Sequence, residues 1–129
     1  MVEPSKIKYA ETHEWVSLSG TIATVGISDH AQKEISDVVF IELPKLDKQV
    51  KQKETAMVIE SVKAAFDIYA PMSGKVVKIN DQLKDTPELV NRSPYQDGWL
   101  FQVECSDPKE FDTLLTESQY NSVKDHSAH

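Results

Sequence analysis

The sequence predicts a mainly-β fold of the sandwich or barrel kind. Two observations predict it. Six runs of four to eight residues, rich in Val, Ile and aromatic side chains, recur along the chain, and Gly, Pro, Asn and Asp bound them at short intervals. A hydrophobic fraction of 40% against a charged fraction of 27% is enough apolar material for a 129-residue chain to bury one core without disulfides or metals. The whole of 1–129 is expected to form a single domain.

In chain order, "TIATVGI" (21 to 27) follows Gly20 and reads as a strand. "SDHAQKEIS" (28 to 36) reads as a short helix, with Ser28 as the N-cap that accepts from the first free amides. "VVFIEL" (38 to 43) stops at Pro44, which cannot continue a ladder; "TAMVIE" (55 to 60) and "AFDIYA" (65 to 70) form the arms of a hairpin connected by "SVKA" and bounded by Pro71 and Gly74. "KVVKI" (75 to 79) ends at Asn80-Asp81 and "WLFQVE" (99 to 104) begins after Asp97-Gly98. The stretch from 80 to 98 is loop-rich, but Leu83, Leu89, Val90 and Tyr95 indicate that it packs, and "TPELVN" (86 to 91) reads as a helix capped by Thr86 with Pro87 in its first turn. A third helix is expected over 107–120, where Asp107 caps, Pro108 opens, Glu110 closes a capping box, and Phe111, Leu114 and Leu115 recur at helical spacing. The final "NSVKDHSAH" is polar, unpatterned and expected to fray.

Charge and composition exclude several functions. Fourteen Lys+Arg against 21 Asp+Glu give a formal charge of -7, and the basic residues form no stripe, so neither nucleic acid nor an anionic membrane is an expected partner. The longest apolar run, "DVVFIEL", is too short to span a bilayer, and "MVEPSKIKYAE" has neither the apolar block of a signal peptide nor an Arg-rich transit pattern. With Cys105 as the only cysteine, the expected setting is a cytoplasm, or a mitochondrial matrix for a mature organellar chain. Phosphate-cradling and hydrolase motifs are missing. Cys105 ends a strand with no histidine nearby and reads as a small buried apolar group. His126 and His129 supply at most half a metal site, so no metal is expected. His13 and Glu14 are neighbours on an expected strand and would point to opposite faces, which leaves Glu14 alone of interest.

Lys63 stands at the outermost point of the 55–70 hairpin, between Val62 and Ala64, where polar turn formers would be ordinary. "ESVKA" followed by "YAPMSG" resembles the attachment motif of lipoyl-carrying domains. "KYAETHEWV", "ATVGISDHAQ", "DVVFIELP", "ESVKAAFDIYAP", "DGWLF" and "SDPKE" extend the likeness over nearly the whole chain, which is similar to the H-protein family of the glycine cleavage system. The Trp15 strand, Asp97-Gly98-Trp99 and the C-terminal helix separate it from minimal carrier domains, and a biotin carrier would show methionines where Val62 and Ala64 stand.

The resemblance implies a flattened β-barrel or sandwich of two sheets (barrel-sandwich hybrid), with short peripheral helices, a lipoyl-binding core over about 21–104 and a C-terminal helix over about 107–120. It implies lipoate carried as an amide on Lys63, with Glu60 and Gly74 read by the lipoate-attaching enzyme. Thr12, Glu14 and Asp67, with Ile27 and His30 beside them, fall where the family lines a cleft for the loaded arm, the two carboxylates receiving the ammonium of the aminomethyl group. The implied partners are a pyridoxal-phosphate glycine decarboxylase, a tetrahydrofolate-dependent aminomethyltransferase and the flavin enzyme dihydrolipoamide dehydrogenase. The chain itself would be a non-catalytic carrier. Relay of lipoyl or octanoyl groups to other carriers is the alternative role, and a non-carrier interaction module a third. Ser36, Asp47 and Lys53 stand where the family usually has glycine, which leads one to expect a reshaped loop over 44–54.

Overall fold

The computed structural model describes residues 7–123, so His126 and His129 and the first six residues lie outside it. The strands are β1 Lys8–Tyr9, β2 Glu14–Ser19, β3 Ile22–Ile27, β4 Val38–Glu42, β5 Gln49–Val50, β6 Thr55–Ser61, β7 Ala65–Tyr69, β8 Gly74–Ile79 and β9 Phe101–Cys105. Helices α1 Asp29–Ile35, α2 Gln82–Asp85, α3 Leu89–Arg92 and α4 Glu117–Val123 lie between and after them. All strand pairs are antiparallel and form two sheets, one of six strands in the order β1-β2-β3-β9-β8-β5 and one of three in the order β4-β6-β7. Among the described residues neither ladder closes on itself, so the architecture is the two-sheet form of the expectation rather than a closed barrel.

Alternation along the strands builds the core. Val25 and Ile27 of β3, Ile59 of β6, Ile68 of β7, Val76 of β8 and Phe101 and Val103 of β9 are all buried in one cluster, with Ile35 of α1 against them. Each such side chain contributes about 2 kcal/mol through removal from water. A second aromatic cluster of Ile7, Tyr9, Trp15 and Tyr120 lies beside it. Trp15 is paired across the ladder with Gly26, where any Cβ would meet the indole at 2.5 Å, and its Nε1 donates to the Pro94 carbonyl at 3.0 Å. The glycine is what lets the ring lie flat.

Helix α1 starts as expected, with the Ser28 hydroxyl accepting from the Ala31 amide at 3.1 Å. The helix expected over 107–120 is instead a 3-10 turn at Pro108–Thr113 followed by α4. Tyr9 and Leu115 exchange two backbone hydrogen bonds of 2.8 Å, which holds Leu114 extended and breaks the helix between them. Asp107 does cap, but Glu110 closes no capping box: its carboxylate accepts from the Ser73 amide at 2.6 Å and the Ser73 hydroxyl at 2.7 Å. Thr86 is no cap either, because α3 starts only at Leu89 and an unforeseen turn of helix, α2, precedes it. At Leu115 and Glu110 tertiary bonds outweigh local propensity.

Ser36, Asp47 and Lys53 hold φ of 76°, 69° and 75°, the conformation that glycine adopts without strain. Within the 44–54 loop, Asp47 and Lys53 thus take the backbone conformation that glycine would take. Lys53 is fixed from both sides: its amide donates to the Ala70 carbonyl at 2.7 Å, and the Ala70 amide donates to the Glu54 carbonyl at 2.8 Å. Because the Lys53 side chain is exposed, little but its Cβ strain distinguishes it from glycine. Lys53→Gly should raise stability by roughly 0.5–1 kcal/mol, read as a higher urea midpoint at unchanged slope; a lower midpoint would show that the lysine stem contributes packing.

Candidate functional site

The β6–β7 hairpin ends in a tight turn over residues 61–64. The Ser61 amide donates to the Ala64 carbonyl at 2.8 Å, while the Ser61 hydroxyl accepts from the amides of Lys63 at 3.2 Å and Ala64 at 3.3 Å. The next amide, Val62, donates to the Asp37 carbonyl at 3.0 Å, which anchors the tip to the segment entering β4. A side chain that bonds two amides just ahead of it closes a turn without glycine. Lys63 is exposed at this tip, Val62 beside it is 65% exposed, and among the described residues no carboxylate pairs with the lysine. Ser61 escaped the sequence reading, although a serine two positions before the tip residue is a legible turn signal.

Glu60 is exposed on β6, paired across the sheet with Phe40 on one side and Ala65 on the other. Gly74 is different in kind. It is buried with φ 156°, and a Cβ there would lie 2.0 Å from the Glu104 carbonyl oxygen. Any influence of residue 74 on an enzyme therefore passes through the shape of the β8 entry rather than through contact.

At the opposite end of the hairpin the structure brings Thr12, Glu14 and β7 together. Glu14 opens β2 and is 1% exposed. Its carboxyl accepts from the Thr12 hydroxyl on one oxygen and from the Tyr69 amide at 2.9 Å on the other. Ile27 sits opposite Glu14 on β3 and is sealed in the core. His30 on α1 is largely buried, with its ring 4.9 Å from that of His13 and its Nε2 3.0 Å from Glu34. Asp67 is exposed on β7, two residues before Tyr69, which in a strand places the two on one face. His13 is not in a strand: with φ 82° it ends the β1–β2 turn, and its ring is fully buried. Thr12 and Tyr69, the partners of Glu14, line a groove of 560 Å³ whose walls include Tyr9, Pro71 and Leu114. Among the described residues no group of three or more His, Cys, Asp or Glu is placed to hold a metal. Cys105 is buried, and burial pushes its thiol up, away from nucleophilic chemistry.

The burial of Glu14 has an electrostatic consequence. Desolvation pushes its carboxyl up to about 7, against the lowering effect of the bonds from Thr12 and Tyr69. The group is thus partly protonated at neutral pH, and a cation brought against it would return it to the carboxylate.

The family model for the glycine cleavage H-protein matches residues 7–127. The chain belongs to this family. It is 51% identical over 120 residues to the glycine cleavage system H protein of Endomicrobium trichonymphae, covering 93% of this chain and 97% of that one. It is 50% identical over 122 residues to the same protein of Alcanivorax borkumensis, covering 95% of each. The crystal structure of a glycine cleavage system H protein from Mycobacterium marinum matches the fold with a TM-score of 0.85 at 32% identity, over 93% of this chain and 97% of that one. Among the described residues no helix is long and apolar enough to cross a membrane.

A carboxyl whose folded value lies near 7 and whose ordinary value is 4.5 is protonated in the folded chain and ionised in the unfolded chain between those limits. The native state binds more protons in that window, so this group's contribution falls as pH rises through it and the deficit is complete above it. Glu14→Gln keeps an acceptor for the Tyr69 amide and turns an amide N–H toward the Thr12 hydroxyl, which then accepts instead of donating, while the charge is removed. The stability of the variant relative to the parent should therefore rise by on the order of 3 kcal/mol from pH ~4 to ~8, checked by urea unfolding across pH.

Proposed function

We propose that this chain is the lipoyl carrier of a glycine cleavage system, with the cofactor attached through the Lys63 amine. One observation supports this above the rest: in a chain of this family, the lysine of "ESVKA" is exposed, unpaired and held at the tip of a turn closed by Ser61. An attaching enzyme needs an amine that it can surround, and an exposed hairpin tip presents one without unfolding. Glu60, exposed next to the turn, is available for contact by that enzyme, whereas Gly74 acts through backbone shape.

Bound there as an amide, lipoate would supply a redox-active disulfide, one sulfur of which could take the aminomethyl carbon left after glycine loses CO2 while the other becomes a thiol. The chain's own residues do the rest. The turn fixes the backbone, so that motion is confined to the side chain and its extension, a reach of roughly 12–15 Å. From Ala65 to Tyr69 the strand rises about 13 Å, so the far end of the hairpin, where Glu14 meets β7, falls within the arm's range. A cationic amine arriving there meets a buried carboxyl that ionises in response, together with the Thr12 hydroxyl, and Asp67 faces the approach. Ile27, opposite Glu14 on β3, contributes an apolar wall, and His30 packs against the neighbouring His13. Exclusion of water by this wall would protect a labile one-carbon cargo.

The partners that follow are the decarboxylase that loads the arm, the folate-dependent transferase that unloads it, the flavin dehydrogenase that reoxidises it and the enzyme that attaches the lipoate. Bacterial relatives support a cytoplasmic setting. Expressed with a lipoate ligase, the chain should gain one lipoyl group by intact mass, and Lys63→Arg should gain none and lose all glycine–bicarbonate exchange with a glycine decarboxylase. An unmodified parent would overturn the reading; a modified parent that supports no exchange would assign it to lipoyl relay. Glu14→Ala should shorten the lifetime of the loaded cargo about tenfold, the worth of one charge-assisted hydrogen bond. Asp67→Ala, at an exposed site screened by water, should shorten it less, and chemical-quench timing distinguishes the two.

A further inference from the structure

The β1–β2 connection raises a question that the carrier reading does not answer. Its backbone follows a type I turn with a bulge, the His13 amide donating to Ala10 at 3.0 Å and the Ala10 amide to Glu14 at 2.8 Å. Such a turn needs a left-handed residue at its last position, and glycine is the ordinary occupant. His13 takes the place at φ 82°, a conformation that disfavours any side chain. Something must hold it there, and that role matters because the turn carries Thr12 and delivers Glu14.

The holding contacts come from the far end of the chain. The Tyr120 hydroxyl is 2.6 Å from His13 Nδ1 and 2.7 Å from the hydroxyl of Ser28, the α1 cap. The Tyr120 ring stacks on Tyr9 at 4.2 Å with 5° between planes, and it meets the His13 imidazole edge-on at 5.5 Å. Tyr120 is the buried residue of α4 and is 3% exposed. Burial pushes its phenol up to about 12, so the proton needed for these bonds stays in place. The His13 carbonyl also accepts from the Ser28 amide at 2.9 Å. Thus the turn and the start of α1 meet at the hydroxyl of one α4 residue, and β1 stacks on its ring.

We propose that Tyr120 is a positioning residue for Glu14: its hydroxyl holds His13 in the glycine slot of the turn, and the turn so held presents Thr12 and Glu14 to Tyr69 at the end of the hairpin. Tyr120 touches no cargo and reaches Glu14 through His13, while its bond to the Ser28 hydroxyl serves the start of α1. The value of this to the cargo rests on the carrier reading above; the positioning itself does not, and it is measurable on the unmodified chain.

The experiment is amide hydrogen exchange and side-chain carbon NMR on the full chain, for the parent, Tyr120→Phe, His13→Gly and the double variant. Tyr120→Phe keeps the stack on Tyr9 and removes only the hydroxyl. Exchange at the Tyr69 amide should rise roughly tenfold, the worth of a buried hydrogen bond, while the Val76 amide, bonded to Lys48 in the other sheet, stays protected. The titration midpoint of the Glu14 carboxyl should move with it. In the His13→Gly background the Tyr120→Phe change should add nothing at either probe. Equal loss of protection at Tyr69 and Val76 would reduce Tyr120 to general stability. An unchanged Tyr69 amide and Glu14 midpoint, or a full additional effect in the double variant, would overturn the proposal. On the lipoylated chain, Tyr120→Phe should also shorten the cargo lifetime; a chain that takes no lipoate removes that reading while leaving the exchange result to decide this one.

Discussion

A buried carboxyl that bonds a backbone amide of the opposite sheet is the constraint on which the placement of the Lys63 hairpin depends. Glu14 belongs to the six-stranded sheet and Tyr69 to the three-stranded one. Apolar contacts between the sheets supply most of the adhesion, but they are non-directional and would tolerate sliding. The Glu14–Tyr69 bond is directional and sets where β7 ends relative to β2. Its cost is visible in the same group, since burial pushes the carboxyl up to about 7. A carboxyl tolerates this position because both of its oxygens are bonded and because it can accept a proton when no cation is near.

The two ends of the hairpin therefore divide the work. The tip is exposed and shaped by hydrogen bonds within residues 61–64 and one from Asp37. The base is buried and shaped by residues from distant parts of the chain, Glu14 near the start and Tyr120 near the end. One end is built for access and the other for exclusion of water, and a rigid strand of about 13 Å separates them.

The strands were legible because period-2 alternation and turn residues are local signals, and β3, β4, β6, β7, β8 and β9 all fall within a residue or two of the expected runs. The two-residue strands β1 and β5 were not, since pairing that short leaves no pattern in composition. The helix at 107–120 failed for a related reason: its periodicity is real, but the bridge between Tyr9 and Leu115 joins residues more than a hundred positions apart. The exposed place of Lys63 at the hairpin tip was legible from its position between two strand-like runs. The burial of Glu14 and His13 was not, because charged and polar residues are surface residues by default, and only the fold shows that the β1–β2 turn is covered by α4.

The turn that presents Lys63 owes its form to four consecutive residues and a single outside carbonyl. The form of the turn is thus set locally, while its position is set from the hairpin base by the Glu14–Tyr69 bond. A lysine in a glycine slot at position 53 leaves the hydrogen bonds of this turn in place, and the tetrapeptide with its flanking strands has the makings of a transplantable cassette for other β-hairpins.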